Sequence, residues 1–152
     1  GAANVARGRG VGRGVRLRQY GRNHDRASPL RDMNSSGDPL GIEQVTSYGM
    51  AVGAEVFETV FWSGRFMEIY GAQRVHRLPR LQVKLHLCHD SRAKDGNIRQ
   101  ALLDRFGGKE IAIGRKANPG PLYGLSGDLW ASFALAVTWL DTNVSGTQGA
   151  AA

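Results

Sequence analysis

Leu40-Gly41-Ile42-Glu43-Gln44 is a short apolar run that ends in polar residues, and the breaker-rich Ser47-Tyr48-Gly49 follows it. An apolar run bounded by turn-forming residues is typical of the end of a β-strand. Residues 54 to 70 then carry apolar side chains at spacings of three and four, which predicts a helix that Gly71 would end. The segment therefore begins an α/β unit.

Further along the chain, strand and helix patterns continue to alternate. We expect a strand over Gln73 to Leu78. Asp95 is a natural N-cap for a helix that Gly107-Gly108 would close. One face of that helix would carry Ile98, Ala101, Leu102 and Phe106. Leu129 to Leu140 is apolar on nearly all sides and predicts a buried helix. This alternation favours a layered α/β domain with a small central sheet flanked by helices.

Residues 80 to 88 are compatible with two structures. Apolar and polar residues alternate strictly there, which is the pattern of a half-buried strand. The apolar positions are Leu81, Val83, Leu85 and Leu87. Pro79, directly ahead, equally suits the first turn of a short helix. The residues alone leave both structures open.

The size and composition of the chain fit a single globular domain. It has 152 residues, of which 41% are apolar and 22% charged, and this length allows one compact domain. Its single cysteine, Cys88, excludes an intrachain disulfide and fits a reducing compartment. The longest apolar stretch, Leu129 to Leu140, is too short to cross a bilayer. A membrane partner is therefore not expected.

The positive charge of the chain is concentrated near its start. Residues 1–40 hold 8 arginines against 3 aspartates, which leaves +5 of the total net charge of +7. Segments rich in Gly and Arg bury too little apolar surface to offset their ordering entropy. We therefore predict a disordered tail, or sequence outside the domain, at 1–38, a folded domain at 39–143 and a disordered tail at 144–152. The first tail is either an arginine-rich arm for phosphates or plain solvated chain.

Four short motifs follow one another between residues 40 and 142. They are Gly41-Ile42-Glu43-Gln44-Val45, Gln82-Val83-Lys84, Arg92-Ala93-Lys94-Asp95 with Ile98, and Asp128 followed by Phe133-Ala134-Leu135-Ala136-Val137-Thr138. In order and spacing they resemble the larger, C-terminal part of RuvC-type Holliday junction resolvases, in particular the phage or prophage members. The resemblance implies an RNase H-like fold. It also favours a helix at residues 80 to 88.

The resemblance carries a functional expectation. It implies an endonuclease that resolves four-way DNA junctions as a homodimer, by hydrolysis that depends on Mg²⁺, for which Mn²⁺ can substitute. Such an enzyme would work in the cytoplasm of a bacterium or of a phage-infected host cell. Glu43 and Asp128 would be the catalytic metal ligands and should approach each other at one sheet edge. The residues expected to bind DNA are Lys84, Arg92, Lys94, Arg99, Arg115 and Lys116.

Two departures from the family pattern concern activity. The family's first strand carries an aspartate, and no apolar strand with an aspartate precedes Glu43. The family often has a second acid three residues after the position of Asp128, where this chain has Ala131. Hydrolysis by paired Mg²⁺ ions needs several carboxylates. We therefore expect junction binding with weak or absent nicking.

Other interpretations of these residues stay open. Glu43 could be a surface acid, and Asp128 could be a helix cap near the positive end of the helix dipole. The chain could be a non-catalytic DNA-binding remnant of the same fold. It could also be an RNA-binding protein in which the Arg-Gly arm is the active part. Finally, we expect the helix at residues 54 to 70 to leave one apolar face for a partner subunit. That face would contain Val56, Phe57, Val60 and Phe61.

Overall fold

The computed structural model describes residues 37–143 together with two short strands, Val5–Arg7 (β1) and Arg16–Leu17 (β2). The other strands are Leu40–Gln44 (β3), Val75–Pro79 (β4), Gly114–Arg115 (β5) and Asn118–Pro119 (β6). The helices are Ala54–Tyr70 (α1), Arg80–Cys88 (α2), Asp95–Arg105 (α3), Lys109–Ala112 (α4) and Leu129–Asn143 (α5).

The main sheet has the strand order β2-β1-β3-β4. Strands β3 and β4 are parallel, with Glu43 opposite Leu78 and Gln44 opposite Pro79, while β1 is antiparallel to both of its neighbours. Parallel neighbours need a long crossover, and α1 provides it. Both parallel strands therefore end at the same edge of the sheet, and Glu43 lies at that edge.

Most of the predicted elements are confirmed, with small shifts at their ends. The helix over residues 54 to 70 is confirmed, and Gly71 follows it with φ +96°. The predicted strand at Gln73 starts instead at Val75, because residues Ala72–Arg74 form a 3-10 turn. The last helix continues beyond Leu140 to Asn143.

The N-cap predicted at Asp95 is wrong by one residue. Lys94 is the capping residue, and Asp95 is the first residue of α3. The side-chain oxygen of Asn97 accepts a hydrogen bond from the Lys94 backbone N–H at 2.9 Å. The amide of Asn97, rather than a carboxylate, therefore binds back to the start of the helix.

Residues 80 to 88 form a helix, as the family resemblance predicts. In a helix, residues four apart share a face, so an alternating pattern produces two apolar rows. Val83 and Leu87 pack with the core. Leu81 and Leu85 line an open hollow of about 720 Å³. The alternation therefore reflects two apolar helix faces.

Apolar packing forms two clusters. The smaller one joins β3 to the end of α1 and consists of Leu40, Ile42, Phe66 and Tyr70. The hydroxyl of Tyr70 donates a hydrogen bond to the backbone oxygen of Asp38 at 2.6 Å. The larger cluster joins β4 and α2 to α5, and its members include Leu78, Val83, Ile98, Leu102, Ala112, Leu122 and Leu135. The two clusters thus hold β3 against α1, and β4 against α2 and α5.

The loop after α4 is fixed to that helix by its backbone. The N–H of Gly120 donates to the carbonyl of Ile113 at 2.8 Å, and that of Leu122 donates to Ala112 at 2.7 Å. A β-carbon at Gly120 would overlap the carbonyl oxygens of Ile111 and Ala112. Only glycine can approach the helix this closely.

The predicted tails are only partly within the described chain. Strands β1 and β2 lie inside the segment that we expected to be disordered. The rest of residues 1–36, and residues 144–152, lie outside the described residues, so disorder there stays a prediction. No helix in the described part of the chain is long and apolar enough to span a membrane.

Candidate functional site

Glu43 lies where β3 ends and the chain turns toward α1. Its carboxylate is partly shielded, with a side-chain exposure of 31%. It opens into a hollow of about 280 Å³ whose walls come from β3, the following loop, α1 and α2. The residues that line this hollow are Glu43, Gln44, Val45, Thr46, Tyr48, Thr59, Ser63 and Arg80.

The charged neighbour of Glu43 is Arg80, the first residue of α2. Its Nη1 lies 3.9 Å from Glu43 Oε2, and its Nη2 donates a hydrogen bond to Asp95 Oδ1. A chain of carboxylate, guanidinium and carboxylate thus connects the sheet edge to the start of α3. Sequence reasoning missed Arg80. The parallel pairing of β3 with β4 could have indicated it, because Arg80 directly follows the residue opposite Gln44.

Asp128 lies immediately before α5 and is exposed. Its backbone oxygen accepts hydrogen bonds from the N–H of Ser132 at 3.1 Å and from the Ser132 hydroxyl at 3.3 Å. Thr142, near the other end of α5, lines the 720 Å³ hollow together with Gln44. At 1.5 Å per residue, that turn is about 20 Å along the axis from Asp128. A close approach of Glu43 and Asp128 stays a prediction.

The surroundings of Glu43 do not fit a two-magnesium site. Within residues 37–143, no three His, Cys, Asp or Glu side chains are grouped so that they could hold a metal ion. Paired Mg²⁺ ions need several carboxylates that share them. Glu43 has a guanidinium beside it instead, and strands β1 and β2 contain only Val, Ala, Arg and Leu residues.

The six basic residues expected to bind DNA lie on four parts of the fold. Lys84 is one turn after Arg80 on α2, and the exposed Arg92 and Lys94 belong to the loop before α3. The guanidinium of Arg99 on α3 lies 4.8 Å from the ring centroid of Trp130. Exposed Arg115 ends β5, and exposed Lys116 begins the turn of the β5–β6 hairpin. A common DNA-binding face stays a prediction.

A second ionic cluster, which sequence reasoning missed, ties α2 and α3 to the end of α5. Asp141 accepts hydrogen bonds from both terminal nitrogens of Arg105, at 2.5 and 2.7 Å, and His86 Nε2 lies 2.6 Å from Asp141 Oδ2. The hydrogen bond from Arg105 lowers the pKa of Asp141, and the His86 contact lowers it further, although burial opposes them. This cluster holds three helices together.

Cys88 is close to this cluster in sequence but is a poor nucleophile. Burial raises the pKa of its thiol, and the negative charge of Asp90 raises it further. Cysteine reacts as the thiolate, which a raised pKa disfavours at neutral pH. Cys88 therefore adds no covalent chemistry to this surface.

The outer face of α1 is apolar and uncovered in the single chain. Phe57 is 66% exposed, Val60 55% and Phe61 58%, although Val56 is partly buried. Soluble monomers rarely expose neighbouring large apolar side chains in this way. The face is therefore a candidate contact surface for a partner.

Comparison with known proteins indicates a fold. No protein-family model and no curated protein matches the sequence. Among solved structures, RuvC from Thermus thermophilus superposes with a TM-score of 0.56 at 15% identity, over 95% of this chain and 96% of that chain. The fold is that of RuvC. At this identity the likeness shows the fold alone, so the predicted RNase H-like α/β class is confirmed. The phage or prophage kind, and the missing first strand, stay predictions.

Proposed function

We propose that this protein binds branched DNA, in particular four-way junctions, and that its Mg²⁺-dependent nicking activity is incomplete. The RuvC fold, shared over 95% of the chain, carries the proposal. Resolvases of this fold act on four-way junctions, as the sequence resemblance implies. The chain would then work on DNA in the cytoplasm of a bacterium or of a phage-infected cell.

Binding is supported by basic side chains on α2 and on the loop before α3. Phosphate contacts supply much of the affinity of such complexes and do not require a complete active site. Arg92 and Lys94 are exposed in one loop, and Lys84 lies on the preceding helix. These side chains can bind phosphates whether or not a metal is present. Binding is therefore expected to survive without catalysis.

Nicking should be weak because the site has too few carboxylates to bind two Mg²⁺ ions. Charge on the attacking and leaving oxygens of a phosphodiester must be stabilised, which metal ions on shared carboxylates do in nucleases of this type. Glu43 has no second carboxylate among the residues of its hollow. Position 131, in the first turn of α5, is alanine. Removing members of one catalytic unit usually costs nearly the whole activity.

A second copy of the chain is the proposed partner for the outer face of α1. Homodimers commonly use one self-complementary patch on each subunit. Phe57 and Phe61 lie one turn apart on this face and are both more than half exposed. A dimer would present two Glu43 sites to the two strands of a symmetric junction.

The test is an electrophoretic mobility shift in EDTA with a four-way junction and a linear duplex of the same arm sequences. We expect preferential binding of the junction. If four phosphates are contacted, a fourfold rise in salt lowers the affinity about 100-fold. Equal affinity for junction and duplex would defeat the proposal.

Paired variants locate the binding surface. Lys84→Gln with Arg92→Gln should weaken junction binding, because both side chains are proposed phosphate ligands. Lys109→Gln on α4 is the control, since Lys109 is exposed like Arg92 but is not assigned to DNA. A similar loss per charge in both would mean that affinity follows net charge alone.

The distribution of charge favours RNA binding by the arm as a second candidate. Residues 37–143 contain 12 basic and 11 acidic residues, so nearly all of the net +7 lies before residue 37. Changing to glutamine the six arginines of residues 1–36 that lie outside β1 and β2 separates the candidates, because both strands then stay in the sheet. Loss of single-stranded RNA binding with retained junction preference would assign the two activities to different parts. If the unchanged protein shows no preference for junctions and the variant loses RNA binding, the result would favour RNA binding by the arm.

A further inference from the structure

We propose that Arg80 is a built-in counter-ion of Glu43, whose guanidinium takes the role that a divalent cation would have at this carboxylate. The inference concerns the same sheet edge as the proposed function, and it rests on that function only for the choice of Glu43 as the residue of interest. It accounts for the disagreement between a RuvC fold and a site that does not fit two metal ions.

Arg80 is held in place from two directions. Its backbone follows Pro79, which is paired with Gln44 at the end of the sheet. Its side chain is bound to Asp95 at the start of α3 and is only 26% exposed. The guanidinium is therefore a positioned group, and Glu43, at 31% side-chain exposure, shares its partly shielded environment.

The hollow around Glu43 is electrically balanced without an added ion. Of the residues that line it, Glu43 is the acidic one and Arg80 the basic one, and the others are neutral. Arginine keeps its positive charge at any pH at which proteins fold. A divalent cation at Glu43 would lie beside this fixed charge, and like charges at such distances repel strongly in partly buried sites. Arg80 and a metal ion thus compete for one carboxylate.

Asp95 gives Arg80 a second acceptor. Its side chain is 87% exposed, so water also competes for it, yet its carboxylate is nearer to the guanidinium than that of Glu43. The guanidinium therefore has a carboxylate on each side. The contact with Asp95 orients Arg80 beside Glu43 without a bidentate ion pair to Glu43.

The test measures binding of Mn²⁺ alone to the full chain by electron paramagnetic resonance. We expect Arg80→Gln to tighten Mn²⁺ binding about fivefold, the factor that a unit charge about 4 Å away contributes in water-like surroundings. Adding Glu43→Gln to Arg80→Gln should remove the gain. Arg80→Lys, which keeps the charge, should bind Mn²⁺ as weakly as the wild type. Arg65→Gln, on the exposed side of α1, is the control for loss of one positive charge and should leave Mn²⁺ binding unchanged.

A measurement on Glu43 alone covers the case in which Arg80→Gln fails to fold. In the wild-type background Glu43→Gln should leave Mn²⁺ binding unchanged, because the carboxylate is already paired. A clear loss of Mn²⁺ binding in Glu43→Gln would overturn the proposal, as would equal affinities of Arg80→Gln and the wild type. Junction binding in EDTA is read separately, so failure of the proposed function would be distinguishable from failure of this ion pair.

Discussion

Helices α1 and α5 are both long and apolar, but α5 is largely buried whereas α1 is mostly exposed. All seven residues from Ser132 to Thr138 of α5 are buried, whereas only Phe66 and Tyr70 are buried among the 17 residues of α1. Helix α5 packs against β1, β3, α2 and α3, while α1 touches the core mainly through its last turns. Apolar composition alone therefore does not determine whether a helix is buried. Burial depends on whether other elements pack against its apolar face.

The largest expected difference between these helices concerns loss of an apolar side chain. Leu135 is 2% exposed, and Leu135→Ala should lower the free energy of unfolding by about 3 kcal/mol, because it leaves a cavity in a packed core. Phe57→Ala on α1 should cost less than about 0.5 kcal/mol in dilute solution. Urea denaturation measures both. Similar losses at the two sites would show that α1 is covered in the monomer.

The next effect concerns the ionic cluster that anchors the end of α5 and has no equivalent on α1. Asp141→Asn should cost about 1.5 kcal/mol at pH 7, the usual scale for hydrogen bonds to a charged group. The pKa of Asp141 is lowered in the folded state. Its contribution is therefore complete above the unfolded pKa of about 3.9 and is lost as pH falls through the lower folded value. Denaturation at several pH values checks this, and a cost that does not shrink in acid would contradict it.

A smaller effect on stability is expected from removing either of two arginines that stack on tryptophan rings. Arg99 lies 4.8 Å from the ring of Trp130 at the start of α5, and Arg65 lies 4.7 Å from the ring of Trp62 on α1. Such contacts contribute about 0.5 to 1 kcal/mol at exposed sites. We expect Arg99→Gln and Arg65→Gln to fall in this range with similar values, as measured by thermal denaturation. A much larger cost for Arg99→Gln would indicate that the start of α5 depends on this contact.

The smallest expected effect on monomer stability concerns the exposed face of α1, where substitutions should instead change the oligomeric state. Phe57→Ser combined with Phe61→Ser removes the centre of the exposed α1 face and should alter monomer unfolding by less than about 0.5 kcal/mol. Sedimentation should show a dimer for the wild type at high concentration and a monomer for the double variant. A wild-type monomer at all concentrations would remove the case for a second copy as the partner.

The sequence by itself determined the order of the main elements from β3 onward, namely β3, α1, β4, α3 and α5. The spacing of apolar residues predicted α1 from Ala54 to Tyr70 and the buried segment of α5, because helical periodicity is a local property of the chain. The same local signals placed Glu43 at the end of a strand. At residues 80 to 88 they were ambiguous, since alternation also gives a helix two apolar rows, and the family resemblance was needed to choose.

Only the tertiary structure decided which side chains meet. Arg80 reaches Glu43 because β4 lies parallel to β3, and His86 reaches Asp141, 55 positions later, because α2 packs against the end of α5. It also decided that Phe57 and Phe61 stay exposed while α5 is enclosed. Periodicity shows which face of an element is apolar. Ion pairs and the burial of that face depend on how elements far apart in sequence pack together, which no local pattern contains.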